Sequence, residues 1–197
     1  MIVHYHSLPD KGAVLPRLWS SLCADELPPW LWGNGPALSL TEFILYFSDP
    51  GRHLFLVLTP DTTNCVAMLW VDEITWGHRA RAHFYFFKRY RNERALRVGA
   101  VCRRVLTALA QPPFNLRLLL LFIDHRAQDA LRLARAFGVT FLGEIPNYYP
   151  GGHPTVLGHY SLEGVSHDIN LRRAQSAGTN GGHHGPADVH PPAQSAA

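Results

Sequence analysis

The chain has 197 residues, of which 47% are hydrophobic and 17% are charged, and its formal net charge is +3. This length and composition suit one globular domain with an appendage, and they exclude a chain that is disordered throughout. The mild positive charge is not by itself a nucleic-acid-binding footprint. Three scattered cysteines argue against a disulfide framework and fit a reducing compartment. We expect a cytoplasmic protein with neither a secretory signal nor a membrane span.

The first half of the chain predicts two helices followed by three strands. Their predicted bounds are residues 10–27 and 42–47 for the helices, and 53–59, 65–74 and 81–89 for the strands. Ser39 or Thr41 is the expected N-cap of the second helix. The short turns between the strands predict an antiparallel meander.

The second half predicts two helices and three further strands. The helices are expected at residues 93–110 and 127–137, and the strands at 116–123, 139–145 and 156–162. The strand–helix–strand passage across residues 81–123 requires a parallel, right-handed crossover. The predicted fold class is therefore α/β (α+β): a mixed, mostly antiparallel central sheet with helices on both faces.

The end of the chain has a different composition. Residues 164–197 lose hydrophobic periodicity and become rich in Gly, Pro, Ala, Ser and His, which predicts a disordered tail after a domain at residues 1–163. Three tail histidines, His183, His184 and His190, are either metal ligands or incidental, and we favour the second interpretation.

Four arginines crowd the passage from the third strand into the following helix: Arg89, Arg91, Arg94 and Arg97. Cations are unfavourable there, because a helix N-terminus exposes N–H donors and carries partial positive charge. A bound anion would reverse the sign of this interaction, and pyrophosphate is the natural candidate. The alternative is a solvated arginine cluster, and the spacing alone leaves both open.

The order of the elements and this junction resemble the GNAT superfamily of acyl-CoA-dependent N-acyltransferases over roughly residues 40–162. In that family the pyrophosphate of coenzyme A lies on a loop of pattern Q/R-x-x-G-x-G/A. Arg94 matches its first position and Gly99 its last, while Arg97 replaces the middle glycine. The resemblance implies acetyl-CoA as co-substrate and direct transfer of the acetyl group to an amine. The implied coenzyme contacts are Phe87, Lys88, Arg89, Arg91, Arg94, Arg97, Val98 and Gly99.

The match to the GNAT pattern is incomplete. Ala127 stands where the family often has an Asn, and Ala134 where it often has the Tyr that protonates the departing thiolate. These departures keep open a second hypothesis, a catalytically inactive GNAT-fold binding or structural protein. The amino-acid sequence of residues 81–89 is also similar to that of GNAT-like proteins of phages and prophages. A third, weaker hypothesis is nucleic-acid association through the arginine cluster.

Amine acetylation requires a base for the nucleophile and a donor for the carbonyl oxygen. The candidate bases are Glu73 on the second strand and His83 on the third, and Tyr85 is a candidate acid. Strand alternation places His83, Tyr85 and Phe87 on one face of the third strand. It places Phe84 and Phe86 on the opposite face.

Other positions carry a functional and a structural interpretation side by side. The resemblance places the carbonyl donor among the backbone N–H groups of Phe86 to Lys88. Asp124 follows a buried strand, where it either contacts a ligand together with His125 or caps the next helix, and we favour capping. Cys102 lies on the buried stripe of its helix and is not expected to act as a nucleophile. Trp30 and Trp32 are expected to pack, or to border the acceptor as the resemblance implies.

Overall fold

The computed structural model describes residues 1–26, 39–59, 64–90, 95–149, 152–163 and 165, with the backbone alone for residues 89, 95–101 and 149. Within these ranges the strands are β1 (Ile2–His4), β2 (His53–Leu58), β3 (Cys65–Thr75), β4 (Arg79–Phe86), β5 (Leu118–Asp124), β6 (Thr140–Tyr149) and β7 (His153–Ser161). The α-helices are α1 (Val14–Ala24), α2 (Leu40–Ser48), α3 (Ala95–Leu109) and α4 (Gln128–Ala136).

All seven strands form one sheet in the order β1-β2-β3-β4-β5-β7-β6. Every neighbouring pair is antiparallel except β4 and β5, which are parallel and joined through α3. The predicted mixed, mostly antiparallel sheet with a parallel crossover is therefore confirmed.

In the described residues, each face of the sheet carries one pair of α-helices and one apolar core. On one face, residues of α3 and α4 such as Val105 and Leu131 pack with Leu121 of β5. On the other face, Leu18 of α1 and Phe47 of α2 pack with Trp70 of β3. This arrangement confirms the prediction of helices on both faces. Each helix pair buries its apolar side chains against one face of the sheet.

Several element bounds differ from the sequence-based prediction. The three-residue strand β1 was not predicted, because three residues are too few to show an alternating pattern. The last strands are longer than expected, and β6 runs through Pro146. Proline is tolerated there because β6 is an edge strand and its register with β7 shifts between Ile145 and Tyr149.

The two candidate caps of α2 are resolved in favour of Ser39. Its Oγ accepts a hydrogen bond from the Glu42 N–H at 3.2 Å, and the Glu42 carboxylate accepts one from the Ser39 N–H at 2.7 Å. This reciprocal pair forms a capping box, which satisfies two donors that the helix itself leaves without partners. The helix therefore begins at Leu40, two residues earlier than predicted.

Two predictions lie outside the described residues. These are the disordered tail at residues 164–197, of which only Val165 is described, and the packing of Trp30 and Trp32. The division at residue 163 therefore stays a prediction. No helix in the described part of the chain is long and apolar enough to cross a membrane.

Three histidines meet where β1 pairs with β2. His4 Nε2 lies 3.2 Å from His53 Nδ1, and the two rings stack with their centroids 5.3 Å apart. His6 Nε2 lies 2.8 Å from the Arg52 carbonyl oxygen. Burial, followed by the charges of His53, His6 and Lys11, lowers the pKa of His4 to about 4. The pKa of His53 is lowered by burial and then by His6.

The histidine cluster should make the fold less stable in mild acid. An unfolded histidine takes a proton near pH 6.5, whereas folded His4 does so only near pH 4. The contribution to stability is therefore complete above pH 6.5 and is lost as the pH falls towards 4. The free energy of unfolding, measured with urea at pH 7 and at pH 5, should differ less in His4→Phe than in the unaltered protein. The phenyl ring of this variant keeps the stacking on Phe55. The exposed turn variant His78→Phe should retain the full difference, and equal pH dependence in both variants would contradict the assignment.

Candidate active site

Strands β4 and β5 are hydrogen-bonded neighbours over only part of their length. They pair at three positions, of which Arg81–Leu120 is the last. Beyond that point β4 stays paired with β3 as far as Phe86, and β5 stays paired with β7 as far as Asp124. Five further residues of β4 span about 16 Å. The sheet therefore has an opening between the carboxyl ends of its two parallel strands, which we call the strand opening.

An apolar cavity lies against the strand opening on the side of α3 and α4. The space within it and at its mouth is about 630 Å³, a volume that includes open solvent. Its walls include Phe84 and Phe86 of β4, Leu121 of β5, Cys102 and Leu106 of α3, and Ala134 of α4. A space with these walls suits a slender, largely apolar chain. Ala134, at the position where the resemblance implies a tyrosine, is buried in this wall.

On the opposite face of the sheet a buried carboxylate organises a polar cluster. Asp72 of β3 is 4% exposed. Its Oδ1 accepts from Arg81 Nε at 2.8 Å and lies 3.2 Å from His83 Nε2. Its Oδ2 accepts from Arg81 Nη2 at 3.0 Å and from the Tyr46 hydroxyl at 3.0 Å. We call Tyr46, Asp72, Arg81 and His83 the Asp72 cluster.

The ionisation of the Asp72 cluster follows from these contacts. Burial alone would raise the pKa of Asp72, but the hydrogen bonds and charges of His83 and Arg81 outweigh burial and hold that pKa well below its usual range. Burial, followed by the Asp72 charge, raises the pKa of Tyr46 to about 12. At neutral pH the carboxylate is therefore ionised, and the phenol is a neutral donor to it.

The three sequence-predicted catalytic residues have different surroundings. His83 belongs to the Asp72 cluster, and its ring stacks on Trp70 with centroids 4.7 Å apart and planes at 4°. Glu73 sits at a break in the β3–β4 register with φ of 48°, and its Oε1 lies 2.9 Å from Arg81 Nη1. Tyr85 donates its hydroxyl to Asp25 Oδ2 at 3.3 Å.

The predicted carbonyl donors need a correction at two positions. The Phe87 N–H donates to the Val66 carbonyl at 3.1 Å, and the Lys88 N–H donates to Asp25 Oδ2 at 2.6 Å. Both groups already have partners, because the carboxylate at the end of α1 and the β3 backbone meet the end of β4. The Phe87 side chain is buried in the core against α1 and α2, and the Lys88 ammonium pairs with Glu26.

The predicted pyrophosphate loop lies only partly within the described residues. Arg91 and Arg94 fall outside them, and Arg89 is described in its backbone alone. Arg97, Val98 and Gly99 lie among the first five residues of α3, so the second half of the motif is helical backbone and not loop. The N–H groups of a first helical turn have no partners within the helix, which keeps this end suited to an anion.

The prediction that Asp124 caps α4 is wrong, because the N-cap residue of that helix is Ala127 and no side chain accepts a capping hydrogen bond there. Asp124 accepts hydrogen bonds from the Arg126 N–H at 2.9 Å and from the Arg126 guanidinium, so it stabilises the turn before α4. Its neighbour His125 has Nδ1 3.3 Å from the Pro154 carbonyl oxygen. Burial raises the pKa of the Cys102 thiol to about 12, which keeps it protonated and unreactive.

Sequence reasoning missed Asp72, Tyr46 and Asp25 as parts of the site. One signal for Asp72 was available, because it interrupts an apolar run on the same strand face as Met68 and Trp70. A charged residue on a buried face requires a partner. No comparable signal marks Tyr46, whose position in a helix is also that of an ordinary packing residue.

The sheet order, the single parallel pair and the helix pair on each face define the GNAT fold of N-acyltransferases. No protein-family model matches this sequence, and no curated protein matches it. Solved structures with this fold include spermidine N-acetyltransferase from Vibrio cholerae in complex with CoA and spermine, at 13% identity and a TM-score of 0.64, covering 82% of this chain and 95% of that one.

A second solved structure is spermidine/spermine N-acetyltransferase SpeG from Vibrio cholerae in complex with manganese ions. It is 14% identical, with a TM-score of 0.60, and the match covers 85% of this chain and 96% of that one. At such identities the likeness shows the fold alone. Both proteins come from a bacterium, and they lend no support to the resemblance to phage proteins.

Removal of the Arg81 guanidinium should be costly. In Arg81→Leu the buried Asp72 carboxylate loses two hydrogen bonds and its main counter-charge, which should lower the free energy of unfolding by about 3 kcal/mol. Arg79→Leu, on the same strand but exposed, should change it by less than about 0.5 kcal/mol. Urea denaturation of both variants measures the difference. Equal, small effects would show that the ion pair contributes little.

Proposed function

We propose that the chain is an acyl-CoA-dependent N-acyltransferase that transfers an acetyl group from acetyl-CoA to an amine by direct attack. The observation that carries the proposal is the strand opening beyond Arg81 and Leu120, with the apolar cavity beside it. The opening leads from a cavity suited to the pantetheine arm of the coenzyme to a polar face that suits an amine.

The chain offers suitable groups for two parts of coenzyme A, the pantetheine arm and the diphosphate. Phe84, Phe86 and Leu121 would line the pantetheine arm, because they come from the two strands that separate and from the face that holds the cavity. The diphosphate would lie at the start of α3, where exposed N–H groups meet the predicted contacts of Arg91, Arg94 and Gly99. This assignment of the diphosphate rests on the sequence motif.

Acetyl-CoA supplies a carbonyl carbon already activated by its thiol leaving group. The chain contributes orientation, exclusion of water by the apolar walls, and control of the proton on the amine. An amine is mostly protonated at neutral pH and cannot attack in that form. A basic group beside the strand opening is therefore part of the proposed function.

The acceptor is proposed to be a primary amine on a small molecule or a protein. A GNAT-fold structure from Vibrio cholerae holds CoA and spermine, which makes a polyamine the first compound to test. A cytoplasmic location stays a prediction from the sequence.

A larger side chain in the cavity should block coenzyme binding. Ala134→Leu adds volume to the cavity wall, so the affinity for acetyl-CoA measured by calorimetry should fall at least about tenfold, which corresponds to 1.4 kcal/mol. Ala136→Leu, two residues away and exposed on the same helix, should bind acetyl-CoA as the unaltered protein does. Thermal unfolding checks that Ala134→Leu still folds. Undiminished binding in a folded Ala134→Leu would place the coenzyme elsewhere.

The diphosphate site can be tested separately. Arg94→Ala and Gly99→Glu should each lose tight binding of acetyl-CoA, because the first removes a cation and the second adds an anion where the phosphates are predicted to lie. Arg103→Ala removes an exposed arginine farther along α3 and serves as the control. Absence of acetyl-CoA binding by the unaltered protein would refute the proposed function. Binding without release of free thiol across an amine panel would favour a non-catalytic GNAT-fold protein.

A further inference from the structure

We propose that His83 accepts the proton of the acceptor amine at Nδ1, and that Asp72 is the positioning residue that orients the imidazole for this role. The proposal rests on the proposed function and adds to it the identity of the base. Asp72 has no assigned role in the sequence-based prediction.

The choice of His83 among the three candidate catalytic residues follows from their contacts. The Glu73 carboxylate is 64% exposed and pairs with Arg81 Nη1, so it is a solvated anion whose charge is balanced by a neighbour. The Tyr85 hydroxyl donates to Asp25, which engages its proton at the end of α1. His83 is different because its ring is fixed on one edge while the side chain stays 23% exposed.

The contact with Asp72 sets the tautomer of His83. Because Asp72 is ionised, it can only accept a hydrogen bond, and the proton shared over the 3.2 Å contact must be on His83 Nε2. The neutral ring then has its lone pair on Nδ1, the atom that can take up a proton. The face of the ring is held by Trp70, so rotation about the side chain would break both contacts.

Asp72 is itself held in place by three hydrogen bonds from two residues. Arg81 binds both of its oxygens, and the Tyr46 hydroxyl binds Oδ2. Trp70 Nε1 donates to the Tyr46 hydroxyl at 3.3 Å, which links the stacking partner of His83 to the same cluster. The charged and titratable groups around His83 are thus Asp72, Arg81, Glu73 and Tyr46, with Arg52 over the Tyr46 ring at 3.7 Å. A carboxylate with this many donors cannot turn away from the imidazole.

The fold places His83 beside the strand opening. Arg81 and Leu120 are the last paired residues, and His83 lies two residues beyond on β4. Phe122 lies two residues beyond on β5. His83 is itself among the residues that line the cavity. Because β4 alternates, Phe84 packs on the α3 and α4 face of the sheet, whereas the side chain of His83 lies with Trp70 on the α1 and α2 face. An amine that approaches from this face would meet His83 before it reaches an acyl group held in the opening.

The reaction balances with His83 as acceptor. An ammonium nitrogen gives one proton to Nδ1, and its freed lone pair forms the C–N bond to the acetyl carbon. The C–S bond breaks with its electron pair on sulfur, and the second nitrogen proton neutralises the thiolate. The proton on His83 then passes to solvent, which restores the neutral ring.

The tautomer can be measured without activity. Long-range ¹H–¹⁵N correlation spectra of the full chain labelled at histidine should show the Nε2–H form for His83, assigned by its loss in His83→Gln. In Asp72→Asn the signal should shift towards a mixture of tautomers or the Nδ1–H form. An Nδ1–H tautomer in the unaltered protein would refute the proposal, because Nδ1 would then be unable to accept a proton.

Kinetics test the catalytic part. With acetyl-CoA and spermidine, benzylamine or a lysine-containing peptide as acceptors, His83→Gln should lower kcat by about 10²- to 10⁴-fold. His78→Gln, the same substitution in the exposed turn before β4, should leave kcat unchanged. Asp72→Asn should lower kcat at least about tenfold and move the acidic limb of the pH–rate profile to lower pH, because an imidazolium loses its neighbouring anion. A purely structural Asp72 would not move that limb.

The outcomes separate the two proposals. Acetylation that persists in His83→Gln but is lost in Glu73→Gln would overturn the base assignment while it leaves the acyltransferase function intact. No acetyl-CoA binding by the unaltered protein would overturn both. If Asp72→Asn does not fold, Tyr46→Phe removes one of the hydrogen bonds that hold Asp72 and should produce a smaller shift of the same limb in the same direction.

Discussion

The rest of the structure depends on the ion pair between Arg81 and Asp72. Arg81 is the last residue of β4 that has β5 as its neighbour. Beyond it, the backbone of β4 follows β3, and the two hydrogen bonds from Arg81 to Asp72 join the side chains of these strands at the place where they separate from β5. The opening in the sheet starts directly after Arg81, and Asp72, which Arg81 holds, contacts His83.

The sheet separates two kinds of chemistry. The side that faces α3 and α4 is apolar and holds a cavity that opens to solvent. The opposite side carries the Asp72 cluster, in which hydrogen bonds satisfy a buried charge. Because β4 alternates between the two sides, adjacent residues such as His83 and Phe84 serve different surfaces. His83 also lines part of the cavity, so an acyl donor held there and this imidazole would meet at the same opening.

Sequence patterns predicted the class of fold, the parallel crossover, and the residues of β4 that share a face. They predicted His83 as a candidate base but could not rank it above Glu73, because the ranking depends on partners. Asp72 lies eleven residues from His83, and Asp25 lies 63 residues from Lys88. Contacts at such separations arise from the register of strands and the docking of α1, which a local pattern does not encode.

By itself, the sequence determined what local periodicity and turn chemistry control: the alternation along β4, the stop signals of the helices, and an N-cap of α2 at Ser39 or Thr41. The tertiary structure alone decided where β4 parts from β5, which carboxylate meets His83, and that the N–H groups of Phe87 and Lys88 already have partners. The physical reason is the separation along the chain over which each kind of interaction acts. Periodicity is set by neighbours a few residues apart, whereas a site is set by side chains that meet only after the strands have paired and the helices have packed.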